Sequence, residues 1–416
     1  MAYFPSSEAH PFITDSPHAR HDAFGRQRVV NPISLFDSQF QYDLQPLRWQ
    51  TSGSVGTSVT LLPNESSVNM VVPGTANAAL IRQTYEYFRY QPGKSQFIVM
   101  TGVFSSSIAN VTKRIGYYDE HNGVFFQFAN GGGPQVVLRS YISGSVNDTV
   151  IDQANWNLDT LDGTLSSANP SGITLDMSQA QIFVMDFQWL GVGRVRFGFD
   201  FSGDPVYCHS ISHANLFSSV YMTTANLPLR YEIFNSGSST GASMKQVCST
   251  VISEGGVEDD RGIIRGTSNG TSVVAVTTRR PILSIQPVAT FGGQVNHAKI
   301  QPLEFQAYVT NAQNVFIELV YNGALTGATF ANAIGSGSVA SLVDADVAAT
   351  AINGGMVVAE GYIDGGVTPV FRTDIHSKLP FTLDMFGTGP ATYTIVATSF
   401  GTSANVVGAF KWKENY

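Results

Sequence analysis

The sequence Ile182-Phe-Val-Met-Asp-Phe-Gln-Trp-Leu-Gly-Val-Gly-Arg-Val-Arg-Phe-Gly-Phe-Asp-Phe201 carries the clearest structural signal in this chain. Its first eight residues are almost continuously apolar, which is typical of a strand buried on both faces. Its last seven residues, Val195–Phe201, alternate aromatic or aliphatic residues with polar or small ones, which predicts a strand with one apolar face and one polar face. Leu190-Gly-Val-Gly193 lies between them and supplies a turn. The stretch therefore predicts an antiparallel hairpin.

Similar short strand patterns fill most of the remaining sequence, and their connections are rich in Gly, Asn, Asp and Ser, as turns require. The chain contains 40 glycines and only weak helix signals. The predicted fold class is all-β, with an extended N-terminal arm followed by two antiparallel β-sandwich (jelly-roll-like) domains.

The domain boundaries follow from breaks in the strand pattern. Glu254-Gly-Gly-Val-Glu-Asp-Asp-Arg-Gly262 interrupts the pattern with charges and glycines, and Pro281 closes the interrupted region. We predict a docking arm over residues 1–44, a first sandwich over 45–253, a linker over 254–280 and a second sandwich over 281–416.

Composition limits the classes of function. Of 416 residues, 43% are hydrophobic but only 13% are charged. This low charge favours burial of surface against other subunits, with a neutral polar extracellular surface as the alternative. The net charge of −8 argues against a nucleic-acid-binding stripe, which needs clustered Lys and Arg.

The sequence also predicts where the protein is made. Its start, Met-Ala-Tyr-Phe-Pro-Ser-Ser-Glu, lacks the basic region and apolar core of a signal peptide. No window approaches 18 unbroken apolar residues, so we expect no membrane insertion. Synthesis in a cytoplasm is the resulting expectation.

No metal, cofactor or catalytic site is predicted. In Cys208-His209-Ser-Ile-Ser-His213, successive strand residues point to opposite faces, so Cys208 and His209 should not converge on a metal. Asp159-Thr-Leu-Asp-Gly163 lacks the full ligand pattern of a calcium loop and is interpreted as a turn. The paired carboxylates stand mostly in turn contexts, and nucleophile-elbow, Walker and dinucleotide motifs are absent from the sequence. Cys208 and Cys248 are expected to be free, buried thiols.

Candidate binding residues are aromatic. In Tyr85-Glu-Tyr-Phe-Arg-Tyr90, Tyr85 and Tyr87 would share one face of a strand, which could be core, a subunit interface or a stacking surface for sugar. Trp156 lies in a loop segment, 155–169, that would suit glycan binding at a sandwich tip.

The segment Asp22–Asp43 is interpreted as an attachment arm. Arginines and aromatic residues are favoured interface anchors. The predicted docking residues are Phe24, Arg26, Arg28, Phe36 and Phe40. From Pro32 onward this segment could instead form the first strand of the sandwich.

Several of these segments resemble virion structural proteins (fibre or decoration type) of tailed bacteriophages, including marine and cyanobacterial phages. The similar segments are Phe24-Gly-Arg-Gln-Arg-Val, Ser34-Leu-Phe-Asp-Ser38, Tyr90-Gln-Pro-Gly-Lys-Ser95, Lys113-Arg-Ile-Gly-Tyr-Tyr-Asp-Glu-His-Asn-Gly123, Trp189-Leu-Gly-Val-Gly-Arg-Val-Arg-Phe-Gly198, Leu227-Pro-Leu-Arg-Tyr-Glu232 and Cys248-Ser-Thr-Val-Ile-Ser-Glu-Gly-Gly256. The resemblance covers about residues 20–256, and the closing Lys411-Trp-Lys-Glu414 is similar to the end of such proteins. It implies a place in the virion and transfers no catalytic residue.

The favoured hypothesis is a non-enzymatic component of a phage particle, such as a fibre, spike or decoration protein. Its arm would anchor it to the particle. Its partners would be other virion proteins and further copies of itself, with which it would form a homotrimer. The first alternative is a carbohydrate-binding module that recognises a host surface glycan. The second is a polysaccharide-degrading spike.

Overall fold

The computed structural model describes residues 32–256, 262–272, 274–334, 340–367, 369–375 and 379–415. The described chain is all-β, as predicted, with antiparallel pairing throughout its sheets. It contains no helix long and apolar enough to cross a membrane within those residues. The described residues divide into two compact units: unit 1 takes those within 32–45, Thr51–Gln83 and 90–256, and unit 2 takes those within Pro46–Gln50, Thr84–Arg89 and 262–415.

The first fifteen strands form two sheets. They are β1 (Ile33–Gln39), β2 (Trp49–Gly53), β3 (Ser58–Leu62), β4 (Ser67–Val72), β5 (Ala78–Thr84), β6 (Gln96–Val103), β7 (Val111–Tyr118), β8 (Gly123–Ala129), β9 (Pro134–Ser140), β10 (Asn147–Asp152), β11 (Gln181–Phe187), β12 (Val195–Phe201), β13 (Asp204–Ile211), β14 (Leu229–Asn235) and β15 (Ala242–Ser253). Short 3-10 turns occupy Pro63–Glu65 and Gln153–Asn155. One sheet has the order β13-β12-β11-β6-β15-β4-β3, with β1 also paired to β15, and the other has the order β10-β9-β8-β7-β14-β5-β2.

The predicted hairpin is confirmed as β11 and β12, which pair antiparallel with Phe183 opposite Phe199. Aromatic side chains of this hairpin meet the other sheet, since the ring of Phe126 lies 5.2 Å from that of Phe183 and 4.9 Å from that of Phe199. The face of β12 that was predicted to be polar and open is buried at Arg196. Arg196 is 2% exposed and pairs with the fully buried Asp186, so this face is covered.

The predicted docking arm needs correction at its C-terminal end. Ile33–Gln39 is strand β1, and Phe36 lies opposite Val251 of β15. Phe36 is 3% exposed and Phe40 is fully buried, so both are core residues of unit 1 and cannot anchor a partner. The alternation of apolar and polar residues after Pro32 is that of a half-buried strand. Phe24, Arg26 and Arg28 lie outside the described residues.

Unit 2 is a second sandwich. Its strands are β16 (Ile263–Ser268), β17 (Val274–Val276), β18 (Arg280–Pro287), β19 (Thr290–Phe291), β20 (Gln294–Val295), β21 (Lys299–Val309), β22 (Asn314–Tyr321), β23 (Ala324–Thr326), β24 (Ala331–Asn332), β25 (Val343–Asp346), β26 (Ala351–Asn353), β27 (Met356–Asp364), β28 (Val370–Asp374), β29 (Tyr393–Ser399) and β30 (Ala404–Asn415). One sheet runs β16-β30-β21-β28 with β17 on β30, and the other runs β24-β25-β18-β29-β22-β27. The division between the units falls inside the predicted linker, 254–280, but β16 and β17 lie in that stretch and pair with β30.

A lysine is buried between the sheets of unit 1. Lys113 is 1% exposed, and its ammonium donates hydrogen bonds to the carbonyl oxygens of Phe104 and, at 3.0 Å, Ser106. Burial penalises the charged form and lowers the pKa of Lys113 from 10.5 to about 8. The charge at neutral pH therefore opposes folding.

This burial predicts a pH-dependent stability. Between the folded pKa of about 8 and the unfolded value of 10.5, the unfolded chain binds the extra proton, so stability rises with pH. Relative to Lys113→Met, the wild type should gain about 2 kcal/mol of unfolding free energy from about pH 7.5 to about pH 9.5. Chemical denaturation of both proteins across this range measures the difference, which removes the contribution of other titrating groups. A difference that is flat with pH would contradict the burial of a charged lysine.

Candidate functional site

The tyrosines predicted as ligand or interface residues lie in a segment that is not a strand. β5 ends at Thr84, and the run that follows is irregular. Tyr87 is 5% exposed and stacks on His297 of the same unit, with ring centroids 3.8 Å apart. Tyr85 is half-buried, and burial, with a smaller contribution from Asp384, raises the pKa of its hydroxyl. Tyr87 therefore has little ring surface open to a ligand.

Trp156 also needs correction as a binding residue. Its side chain is 4% exposed, its ring centroid lies 6.3 Å from that of Phe199, and its indole nitrogen donates to the carbonyl oxygen of Ile151 at 3.4 Å. The indole packs inside unit 1 because it extends the aromatic core of β12. It presents no face to a glycan.

The Cys–His segment does not assemble a metal site. The Cys208 thiol points to the carbonyl oxygen of Phe197, whereas His209 Nδ1 accepts a hydrogen bond from the backbone of Asn157. Burial lowers the pKa of His209 to about 4, so this imidazole is neutral at ordinary pH. His213 stacks on Tyr221 instead. The described residues contain no group of three or more ligating side chains placed to hold a metal ion.

The other sequence candidates are occupied by local hydrogen bonds. Asp159 accepts from the backbone of Leu161 and Ser171, each at 3.0 Å, as the turn interpretation requires. Both cysteines are free, but only Cys208 is buried; Cys248 is exposed, contrary to prediction. Cys248 belongs to β15 and pairs with Gln39, the last residue of β1.

A cluster of arginines covers two aromatic rings on the outer face of the seven-stranded sheet in unit 1. The guanidinium of Arg139 lies 5.2 Å from the Phe125 ring centroid, and that of Arg230 lies 5.3 Å from the Tyr118 centroid. Arg139 forms a salt bridge with Asp148, and Arg230 forms one with Glu232, each at 2.8 Å. Because the guanidinium groups are paired and largely buried, this cluster is structural rather than an open anion site.

Unit 2 carries an open aromatic surface instead. The ring of Tyr362 in β27 contacts that of Phe316 in β22, with centroids 5.1 Å apart and planes tilted by 37°, and that of Phe400 in the β29–β30 turn, at 6.0 Å and 34°. Tyr362 is 73% exposed and Phe400 is 66% exposed. We call these three residues the aromatic platform.

The position of the aromatic platform follows from strand register. Phe316 lies directly opposite Tyr362, and alternation along β22 turns Val315 and Ile317 into the core and Phe316 outward. Phe400 is held by a 3.0 Å hydrogen bond from its backbone nitrogen to the carbonyl oxygen of Asn314. Two rings thus project from a paired sheet and the third from a turn fixed to it.

The surroundings of the aromatic platform are polar and acidic. Glu360 and Asp364 lie on the same face of β27 as Tyr362, and both are exposed. Glu318, opposite Glu360, is 7% exposed and is held by Arg279 through two hydrogen bonds of 2.8 Å and 3.2 Å. The platform is therefore bordered by two carboxylates that are open to solvent.

Sequence reasoning missed these three residues, which are far apart along the chain. Phe400 gave one usable signal, since it stands in the polar turn Ser399-Phe-Gly-Thr-Ser403, where an aromatic ring has no strand face to bury it. Tyr362 and Phe316 follow ordinary strand alternation, and only the register of β22 with β27 shows that their rings meet outside the core.

Known proteins are similar to this chain only at a low level. No family model matches the chain, and no curated protein matches it. Among solved structures, it is similar to a beta-1,3-glucanase from Mycobacterium marinum (10% identity, 53% of this chain and 98% of that chain, TM-score 0.37). A pseudo beta-1,3-glucanase of Mycobacterium tuberculosis (11%, 52% and 98%, TM-score 0.36) and a legume lectin-like domain from Entamoeba histolytica (8%, 53% and 97%, TM-score 0.30) are also similar. Likeness at this level transfers no residue role to this chain.

Proposed function

We propose that this protein is a non-enzymatic carbohydrate-binding protein that recognises glycans on the aromatic platform. The observation that carries the proposal is the group of three adjacent rings in unit 2, two of them more than 60% exposed, which project from a paired sheet and from a turn fixed to it. A pyranose ring offers a face of C–H groups that stacks on an aromatic face, while its hydroxyls bond to nearby polar groups. Large exposed aromatic side chains that are grouped in this way commonly mark a binding surface.

The chemistry around the aromatic platform supports binding rather than hydrolysis. A glycosidase needs two carboxyl groups about 5 to 10 Å apart across a cleft. Glu360 and Asp364 stand four residues apart on one strand, which separates their backbones by about 13 Å. Glu318 is closer to Glu360, but Arg279 binds both of its oxygens.

Tyr362→Ala is the direct test of glycan binding. We expect the change to weaken retention on immobilised host surface polysaccharide at least about fivefold, because each stacked ring contributes about 1 kcal/mol or more and the platform would lose its middle ring. Affinity electrophoresis of the whole chain measures retention. Tyr42→Ala is the matched control, since Tyr42 is 91% exposed in unit 1, away from the platform residues in sequence.

Two results would contradict this proposal. Equal retention of Tyr362→Ala and wild type would remove the aromatic platform from glycan binding. Release of reducing ends from the polysaccharide by the wild type would contradict a non-enzymatic role and would favour a polysaccharide-degrading spike.

The second part of the proposal concerns location. The segments similar to phage virion proteins, together with a charged fraction of only 13%, support a structural component of a tailed-phage particle that assembles with copies of itself, as a homotrimer, and with other virion proteins. Host-glycan recognition is the role that such a component would fulfil through the aromatic platform. Labelling of purified particles with an antibody against this chain tests the location, and unlabelled particles would contradict it.

A further inference from the structure

We infer that the aromatic platform selects neutral or amine-bearing glycans and rejects acidic ones. This inference rests on the proposed glycan binding and names the class of ligand. It follows from the charges that border the three rings, since stacking on an aromatic face does not by itself distinguish a neutral sugar from a charged one.

The bordering charges are both negative. Glu360 precedes Tyr362 by two residues and Asp364 follows it by two, so each carboxylate stands on the same strand face about 7 Å along the strand from the tyrosine. Neither forms a salt bridge with another described residue, and both are exposed. A ligand stacked on Tyr362 therefore lies between two carboxylates.

Among the described residues, the adjacent strands β22 and β29 place no positive charge in a salt bridge with these carboxylates. On β22, the outward residues next to Phe316 are Asn314, which is uncharged, and Glu318, whose charge is balanced by Arg279. On β29, Thr398 lies opposite Phe316 and offers a hydroxyl. The face around the three rings thus combines hydrogen-bond acceptors with negative charge.

Carboxylates suit some sugars and disfavour others. They accept hydrogen bonds from hydroxyl and amide groups, and they attract a protonated amine. A uronate or sulfate group at about 6 Å from a surface carboxylate meets like-charge repulsion that should weaken binding about tenfold.

The spacing of the rings also favours ligands longer than one sugar. Adjacent ring centroids are 5.1 Å and 6.0 Å apart, and one pyranose is about the size of one aromatic ring. A ligand of linked sugars can contact more than one of these rings, whereas a single sugar covers about one ring. Monosaccharides should bind much more weakly than oligosaccharides of the same sugar.

A panel of immobilised oligosaccharides tests this inference. It contains neutral, amine-bearing, uronic-acid and sulfated forms built on the same backbones, and it is probed with the whole chain as wild type, Glu360→Gln/Asp364→Asn, Tyr362→Ala and Tyr42→Ala. We expect the wild type to bind neutral and amine-bearing forms at least tenfold more tightly than acidic forms. The double amide variant should gain about tenfold on acidic forms relative to neutral forms built on the same backbone.

The outcomes separate this inference from the proposed function. Preference for acidic forms, lost in Tyr362→Ala, would overturn the inference and leave glycan binding by the aromatic platform intact. Binding that is unaffected by Tyr362→Ala, or no binding to any form, would overturn both. If Tyr362→Ala instead converts an oligomer to a monomer in light scattering, the platform is a contact between copies of the chain, and both are overturned.

Discussion

Replacing Trp156 with alanine is expected to lower the free energy of unfolding of unit 1 by about 4 kcal/mol. The indole is 4% exposed and packs near Phe199, so its removal leaves a large cavity beside the aromatic core. Binding of glycans by folded protein should not change, since the ring has no accessible face. Chemical denaturation gives the loss of stability, and hydrogen exchange in peptides from β12 assigns it to unit 1.

Leu165→Ala is the control for the tryptophan change, because Leu165 belongs to the same loop and is 77% exposed. It should alter stability by less than about 0.5 kcal/mol. The opposite outcome for Trp156→Ala, unchanged stability with lost glycan binding, would restore the sequence-based prediction that this residue binds sugar.

Glu232→Gln is expected to lower the free energy of unfolding by about 3 kcal/mol at neutral pH. Glu232 accepts from Arg114 at 3.0 Å and from Arg230 at 2.8 Å, and it also bonds the hydroxyl of Tyr118. A neutral amide leaves these largely buried guanidinium groups without their shared counter-charge. Chemical denaturation of both proteins measures the effect.

The effect of Glu232 should depend on pH. Burial raises the pKa of this carboxyl, but Arg230, Arg114 and Arg139 outweigh it and hold the pKa below its usual 4.5. Its contribution is therefore present above 4.5 and is lost as pH falls through the lower, folded pKa. Wild type and Glu232→Gln should converge in stability in that acidic range. Glu65→Gln, which removes an exposed partner of Lys245, is the control and should cost less than about 1 kcal/mol.

The sequence predicted the fold class because local patterns carry it. Period-two alternation at Val195–Phe201 and the glycines before it were sufficient for the β11–β12 hairpin. Local alternation does not predict which distant strands pair with each other. The contact of β1 with β15 joins Phe36 to Val251, and this pairing turns part of the predicted arm into core.

The site was harder to predict than the fold, because exposure depends on tertiary context. Tyr87 and Trp156 have the composition of ligand-binding aromatics, yet stacking on His297 and packing near Phe199 bury them. Tyr362 and Phe400 are candidate binding residues only in the folded chain. The register of β22 with β27 places Tyr362 beside Phe316, and a backbone hydrogen bond to Asn314 holds the turn that carries Phe400. An aromatic residue in a polar turn, such as Phe400, is the pattern that would have improved the prediction.

Saturation-transfer NMR with the tightest-binding neutral oligosaccharide tests the central claim most directly. Irradiation of aromatic protons of the whole chain should transfer saturation to the C–H protons on one face of at least two consecutive sugars, because these stack on the aromatic platform. The transfer should disappear in Tyr362→Ala/Phe400→Ala and persist in Tyr42→Ala. An unchanged transfer in the double variant would show that glycans bind elsewhere and would contradict the account.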